Sequence, residues 1–167
     1  IERGEFLAIL GSNGSGKTTL IKHLNGLLQP TQGQIYFDGQ AVKQVEDQEI
    51  FSRIGIVFQD PNDQLFAATV EEDVAFGPTN MGLPEDEVAL RVKRALAQVG
   101  IEGLAGKSIH ALSHGQKKRV CIAGILAMEP SVMILDEPTD GLDPNQKALV
   151  QSLLGRLAEG RCIILST

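Results

Sequence analysis

The chain has 167 residues and a mass of 17.9 kDa, enough for one domain with a real core and hardly enough for two. Hydrophobic residues make up 43% and charged residues 22%, a balance that excludes a disordered or low-complexity chain. The net charge of -6 and pI near 5.0 disfavour nucleic acid or an anionic membrane surface as partners, and no apolar run approaches the 18 or so residues of a membrane span.

Glycine is over-represented, at 18 residues against about 12 at average usage. The sequence begins at Ile1 with no secretory signal pattern and stops at Thr167, two residues past the apolar run Cys162–Leu165. It therefore reads as one domain trimmed at both ends. Cys121 and Cys162 sit in apolar surroundings without CxxC or Cys/His spacing, so they read as reduced core residues in a reducing cytosol.

In chain order, the first expected strand is Glu5–Leu10. It runs into Gly11-Ser12-Asn13-Gly14-Ser15-Gly16-Lys17-Thr18, the phosphate-loop pattern GxxxxGK[ST]. A helix with the apolar stripe Leu20, Ile21, Leu24 and Leu27 follows. Glycines allow the backbone to curl so that successive N–H groups point at an anion, and the helix adds its free N–H groups and dipole, with Thr19 in its first turn. Lys17 supplies a point charge for the β- and γ-phosphates of a nucleotide, and the Thr18 hydroxyl a ligand for Mg²⁺. A flexible Gly/Ser turn that happens to precede Lys-Thr is the competing explanation. With strand and helix in place, nucleotide binding is the better one.

Gln34–Phe37 and Ile54–Phe58 are the next expected strands. Thr69 with Glu72 matches a capping box. Pro84 followed by three acids starts a helix, whose stripe Val88, Val92, Ala95, Leu96 and Val99 ends at Gly100. Ser113, in Leu112-Ser113-His114-Gly115-Gln116, is a good N-cap for a helix carrying Val120, Ile122, Ala123 and Leu126. A Ser-x-Gly turn at a helix start is also an anion-binding device. The only basic cluster, Lys117-Lys118-Arg119, is explained by a solvated helix face as well as by a ligand.

Ser131–Leu135 then reads as a buried strand that delivers Asp136 and Glu137 at its end, where parallel sheets place ligand sites. Asp136 can hold Mg²⁺ directly or through water, and Glu137 can orient or deprotonate an attacking water. Two solvated acids at a strand end would look the same in isolation. Asp143-Pro144 opens a further helix with Leu149, Leu153 and Leu157 on one face, and Arg161–Leu165 is the last strand. Strands at both ends and a helix-rich middle imply an α/β core of about 1–59 and 130–167, with a helical insertion over about 60–129.

The phosphate loop, Leu112–Gln116 and Ile134-Leu135-Asp136-Glu137-Pro138-Thr139 occur in the order typical of ATP-binding-cassette (ABC) ATPases, and the chain resembles that family throughout. The resemblance implies a phosphate-loop NTPase core with a mostly parallel sheet and an inserted helical subdomain. It implies ATP and Mg²⁺, with Thr18, Gln59 and Asp136 at the metal and Glu137, Gln59 and Lys17 as catalytic groups. Ser113, Gly115 and Gln116 would act on ATP held by a second ABC ATPase domain, in a homo- or heterodimer. Asp143 would lie in the loop crossing that interface.

A narrower resemblance links Phe58–Phe66 and Thr69–Pro78 to the ATPases of energy-coupling-factor importers, and His114–Met128 to their cobalt- and nickel-import branch. A vitamin importer of the same type, or a non-transport ABC ATPase, is the alternative. The resemblance implies a peripheral subunit at the cytoplasmic face of the membrane, touching a transmembrane coupling subunit near Gln59–Phe66 and no nucleic acid. Lys17 and Ser113 are too close in sequence to enclose the coiled coils of the repair ATPases, and no GTPase Asn-Lys-x-Asp motif is present. His114 stands where the family usually has glycine. The family's switch histidine would follow Thr167 and its adenine-stacking aromatic would precede Ile1; His23, His110, His114 and Tyr36 match neither position. As trimmed, the domain is expected to keep the phosphate site and to hydrolyse ATP poorly.

Overall fold

The computed structural model describes residues 1–2, 4–158 and 161–167. In chain order its elements are β1 (Phe6–Ile9), α1 (Lys17–Leu24), β2 (Tyr36–Phe37), β3 (Gln40–Ala41), α2 (Asp47–Arg53), β4 (Ile54–Val57), α3 (Val70–Asn80), α4 (Glu85–Gln98), α5 (His114–Ala127), β5 (Val132–Leu135), α6 (Pro144–Leu157) and β6 (Cys162–Ser166). Four strands form one sheet in the order β1-β6-β5-β4. Every neighbouring pair is parallel, with Ile9 opposite Ser166, Leu165 opposite Leu135, and Leu135 opposite Val57. All four strands thus end at the same edge, and the loops leaving them share one neighbourhood.

The Ile- and Val-rich runs of β4, β5 and β6 are buried almost throughout, as parallel strands covered on both faces require. β1 departs from that expectation: it pairs only with β6, and Phe6 and Leu7 are exposed. The hairpin β2–β3 was legible only in its first strand. Its turn is Asp38-Gly39, both at positive φ (47° and 81°), the geometry for which Asp-Gly is suited.

α5 is buried on nearly every side and packs against α3, α4 and β4, so it shows no amphipathic alternation. Gly55 in β4 makes that approach possible, because a Cβ there would run into Ile125. α4 matches its expected stripe, with Val92, Ala95, Leu96 and Val99 buried and Gly100 at φ 67° beyond its end. The capping box at Thr69 is complete: its hydroxyl accepts from the Glu72 N–H (3.4 Å) and the Glu72 carboxylate accepts from the Thr69 N–H (3.0 Å).

Two expected stripes are corrected. Of the α1 stripe only Ile21 is fully buried, Leu20 is exposed, and Leu27 lies exposed beyond the helix end. In α6 Leu149 is exposed, and the buried face is Val150, Leu153, Leu154 and Leu157. The basic cluster is not a solvated face either, since Lys118 is completely buried. Cys121 and Cys162 are buried free thiols; burial pushes Cys121 up to about 12 and raises Cys162 as well, so neither ionises near neutral pH.

Candidate functional site

The loop between β1 and α1 bends through two glycines at positive φ, Gly14 (80°) and Gly16 (93°), which side-chain-bearing residues avoid. Gly11 is required for a different reason: a Cβ there would lie 2.6 Å from the Ser15 hydroxyl. Gly16 gives α1 no side-chain cap, so the first-turn N–H groups of α1 are left for an anion to satisfy. Lys17 folds back over the loop, donating to the carbonyls of Gly11 (2.8 Å) and Ser12 (3.3 Å). Its ammonium also pairs with Glu137 at 3.2 Å.

Asp136 follows directly on β5 and is only 2% exposed. A buried carboxylate needs donors, and two hydroxyls provide them. Thr18 donates to one oxygen at 2.6 Å, and Ser166, at the end of β6, donates to the other at 2.5 Å. Ser166 Oγ in turn accepts the backbone N–H of Glu137 at 2.9 Å.

Glu137 has φ 43°, a left-handed conformation that a branched-out side chain rarely adopts. In a continuing strand its side chain would point away from that of Asp136. The left-handed turn breaks the alternation. One carboxylate oxygen of Glu137 lies on Lys17, and the other accepts from the Gln59 amide at 3.1 Å. That same amide nitrogen donates to Asp140 at 3.1 Å. Lys17, Thr18, Gln59, Asp136 and Glu137, assigned separately from sequence, are thus joined through hydrogen bonds and one ion pair.

Among the described residues, no hydrogen bond or ion pair links Ser113, Gly115, Gln116 or Asp143 to this cluster. Ser113 and Gln116 form a complete capping box at the start of α5, with bonds of 2.9 and 3.3 Å. Gly115 is buried against α6, where a Cβ would lie 2.8 Å from the side-chain oxygen Oε1 of Gln146. Asp143 caps α6 by accepting from the N–H groups of Asn145 (2.9 Å) and Gln146 (3.0 Å). His114 lies beside Gly141 in the preceding loop.

A family model described as ABC transporter matches residues 1–140. The chain belongs to the ABC transporter family. It is 52% identical to the energy-coupling factor transporter ATP-binding protein EcfA of Methanocaldococcus jannaschii, over 100% of this chain and 61% of that protein. It spans the same share of a Geobacter sulfurreducens relative, at 54% identity. Among solved structures it resembles cbiO1 from Clostridium perfringens, part of the ABC transporter complex cbiONQ, with 51% identity and a TM-score of 0.90 over 100% of this chain and 68% of that one. It also resembles the ATP-binding cassette MJ0796, a dimer bound to ADP and Pi, with 30% identity and a TM-score of 0.88 over 100% and 76% of the two chains. The ABC fold expected from sequence is the fold observed.

Three residues bonded to this cluster, Ser166, Asp140 and Lys118, were not singled out from sequence. Ser166 and Asp140 are short polar residues beside recognised motifs, and their partners lie 30 and 81 positions away. Lys118 was hidden in the basic run. Ser166→Ala removes the donor to Asp136 Oδ1 and the acceptor for the Glu137 N–H, leaving the Asp136 carboxylate with Thr18 as its one hydroxyl donor. It is expected to cost about 1–3 kcal/mol of stability, read as a lower urea midpoint at unchanged slope.

Proposed function

We propose that this chain is the nucleotide-binding part of an ATP-hydrolysing subunit in an energy-coupling-factor importer, peripheral on the cytoplasmic face of the membrane. The observation that carries the reading is the meeting of Lys17, Thr18, Asp136, Glu137 and Gln59 at one sheet edge. The core of about 1–59 and 130–167 would hold ATP, and the helical part of about 60–129 would carry the signals to and from partners.

The loop from Gly11 to Thr19 binds the phosphates through backbone N–H groups, and Lys17 turns from Glu137 to the β- and γ-phosphate oxygens. The hard-oxygen set of Thr18 and Asp136, already paired at 2.6 Å, fits Mg²⁺, with Gln59 as a further oxygen donor. Mg²⁺ held by these residues would supply neutralisation of the phosphate charge. Glu137, released from Lys17, accepts a hydrogen bond from the attacking water, and Gln59 orients that water from the other side. Ser113, Gly115 and Gln116 would meet the γ-phosphate held by a second ABC ATPase domain, with Asp143 beside it.

The transmembrane partner has a candidate surface. A cavity of about 780 Å³ opens between α2 and α3 and is lined by Phe51, Phe58, Phe66, Phe76, Met81 and Met128, among others. Phe66 is 64% exposed and stacks edge-on against Phe76 at 4.6 Å. The segment behind it is held rigidly: Gln64 accepts from the Phe58 N–H, and Lys117 donates to Asn62. An apolar helix of a membrane subunit suits such a groove. For the cargo we assign cobalt or nickel ions, on the resemblance of His114–Met128, over a vitamin.

In the intact protein, Glu137→Gln is expected to keep ATP binding while lowering turnover by about 100-fold or more; near-normal turnover would remove Glu137 from the role of base. Phe66→Ala is the sharper probe of assembly, because Asn62 and Gln64 also hold the segment itself. It is expected to reduce co-purification with the membrane subunit by about tenfold while leaving ATP affinity unchanged. Unchanged co-purification counts against this surface.

A further inference from the structure

The three cations of Lys117-Lys118-Arg119 go to three different places. Lys117 reaches Asn62 at 2.8 Å, and Arg119 donates to the carbonyls of Val99 and Gly100 beyond the end of α4. Lys118 turns inward and is 0% exposed. Its ammonium donates to the backbone carbonyl of Gln59 at 2.5 Å and to that of Glu137 at 3.2 Å. These are the two residues placed on either side of the attacking water.

Burying an ammonium is costly, and it persists where it satisfies groups that nothing else can reach. Burial pushes the Lys118 pKa below the usual lysine value, while the carboxylates of Asp140, Asp60 and Asp136 act in the opposite direction and favour the charged form. The Glu137 peptide is strained at φ 43° and gripped on both sides: its N–H by Ser166 and its carbonyl by Lys118. Without the ammonium, the Glu137 carbonyl keeps only the Asp140 N–H (3.1 Å), and the backbone loses one of the three bonds that hold it in the left-handed well. The Gln59 carbonyl, at the exit of β4, loses its only side-chain donor among the described residues.

We propose that Lys118 is a positioning residue for hydrolysis: its ammonium ties the Gln59 and Glu137 backbones together so that both side chains face one water, and joins them to the helix that begins at Ser113. A shift of α5, whose N-terminus would touch the partner's nucleotide, therefore reaches both water-facing residues through one side chain. This inference rests on the reading of Glu137 as the residue that activates the water.

The test uses the intact ATPase assembled with its membrane subunits. Lys118→Met keeps the length of the side chain and removes the donors. It is expected to lower turnover about 100-fold and to change ATP affinity less than about threefold. Amide hydrogen exchange should quicken in peptides spanning Gln59 and Glu137 and remain unchanged in α4. Lys118→Arg, which retains donors, should restore turnover to within about tenfold of the parent. In a Glu137→Gln background, Lys118→Met should add no further loss, because both act on the same water step.

Parental turnover in Lys118→Met, or losses that simply multiply in the double variant, would overturn the proposal. Turnover unaffected by Glu137→Gln alone would instead overturn the reading beneath it. If Lys118→Met fails to fold, Lys118→Leu, which also lacks donors and is smaller, carries the comparison, with lowered turnover at retained affinity supporting the role and unchanged turnover refuting it.

Discussion

The buried carboxylate of Asp136 is the interaction on which the site depends. It sits at the end of β5 and takes one hydroxyl from α1 and another from the end of β6. A charge with 2% exposure is tolerated only while its oxygens are bonded, so the two hydroxyls and the carboxylate fix one another. That requirement ties the phosphate loop to two strands that the sheet alone would align only in register. The parallel order β1-β6-β5-β4 makes the arrangement possible by bringing all four strand ends to one edge. Ser166 adds a second bond, to the Glu137 N–H, and so carries the constraint one residue further along the chain.

Glu137 is then the point at which structure becomes chemistry. Its left-handed backbone turns the side chain back over the phosphate loop, where it holds the Lys17 ammonium and accepts from Gln59. On the proposed function, these partners are exchanged rather than added. Phosphate oxygens carry more charge than one carboxylate and draw Lys17 away, which frees the Glu137 oxygen that must meet water. The residues that prepare the water are thus held out of use by the same lysine that later binds the nucleotide.

How much of this could be read from sequence follows from how local each device is. The phosphate loop, the Thr69 capping box and the Asp136–Glu137 pair are written in contiguous residues whose types have few other uses; the loop lies between β1 and α1, the box opens α3 and the pair follows β5. The α1 and α6 stripes went wrong in phase: the 3.6-residue period was correct, but Leu149 and Leu20 lie on the exposed side, and periodicity alone does not say which flank faces the core. Asp38-Gly39 carried a readable hairpin signal that a strand search limited to apolar runs passes over. Lys118 was opaque for a different reason. Its two acceptors are backbone carbonyls 59 and 19 positions away, and a backbone carbonyl leaves no trace in residue identity. A lysine inside a basic run looks solvated until the fold encloses it.

The most direct test is a crystal structure of the intact protein with ATP and Mg²⁺ bound. Lys17 should leave Glu137 for the phosphate oxygens. Thr18 and Asp136 should stay together at the metal, and Glu137 should keep its left-handed backbone with its N–H on Ser166. A structure in which Lys17 remains paired with Glu137, or in which Glu137 reverts to an extended backbone with its side chain turned away from the phosphates, would contradict the assignment of this cluster as the hydrolytic site.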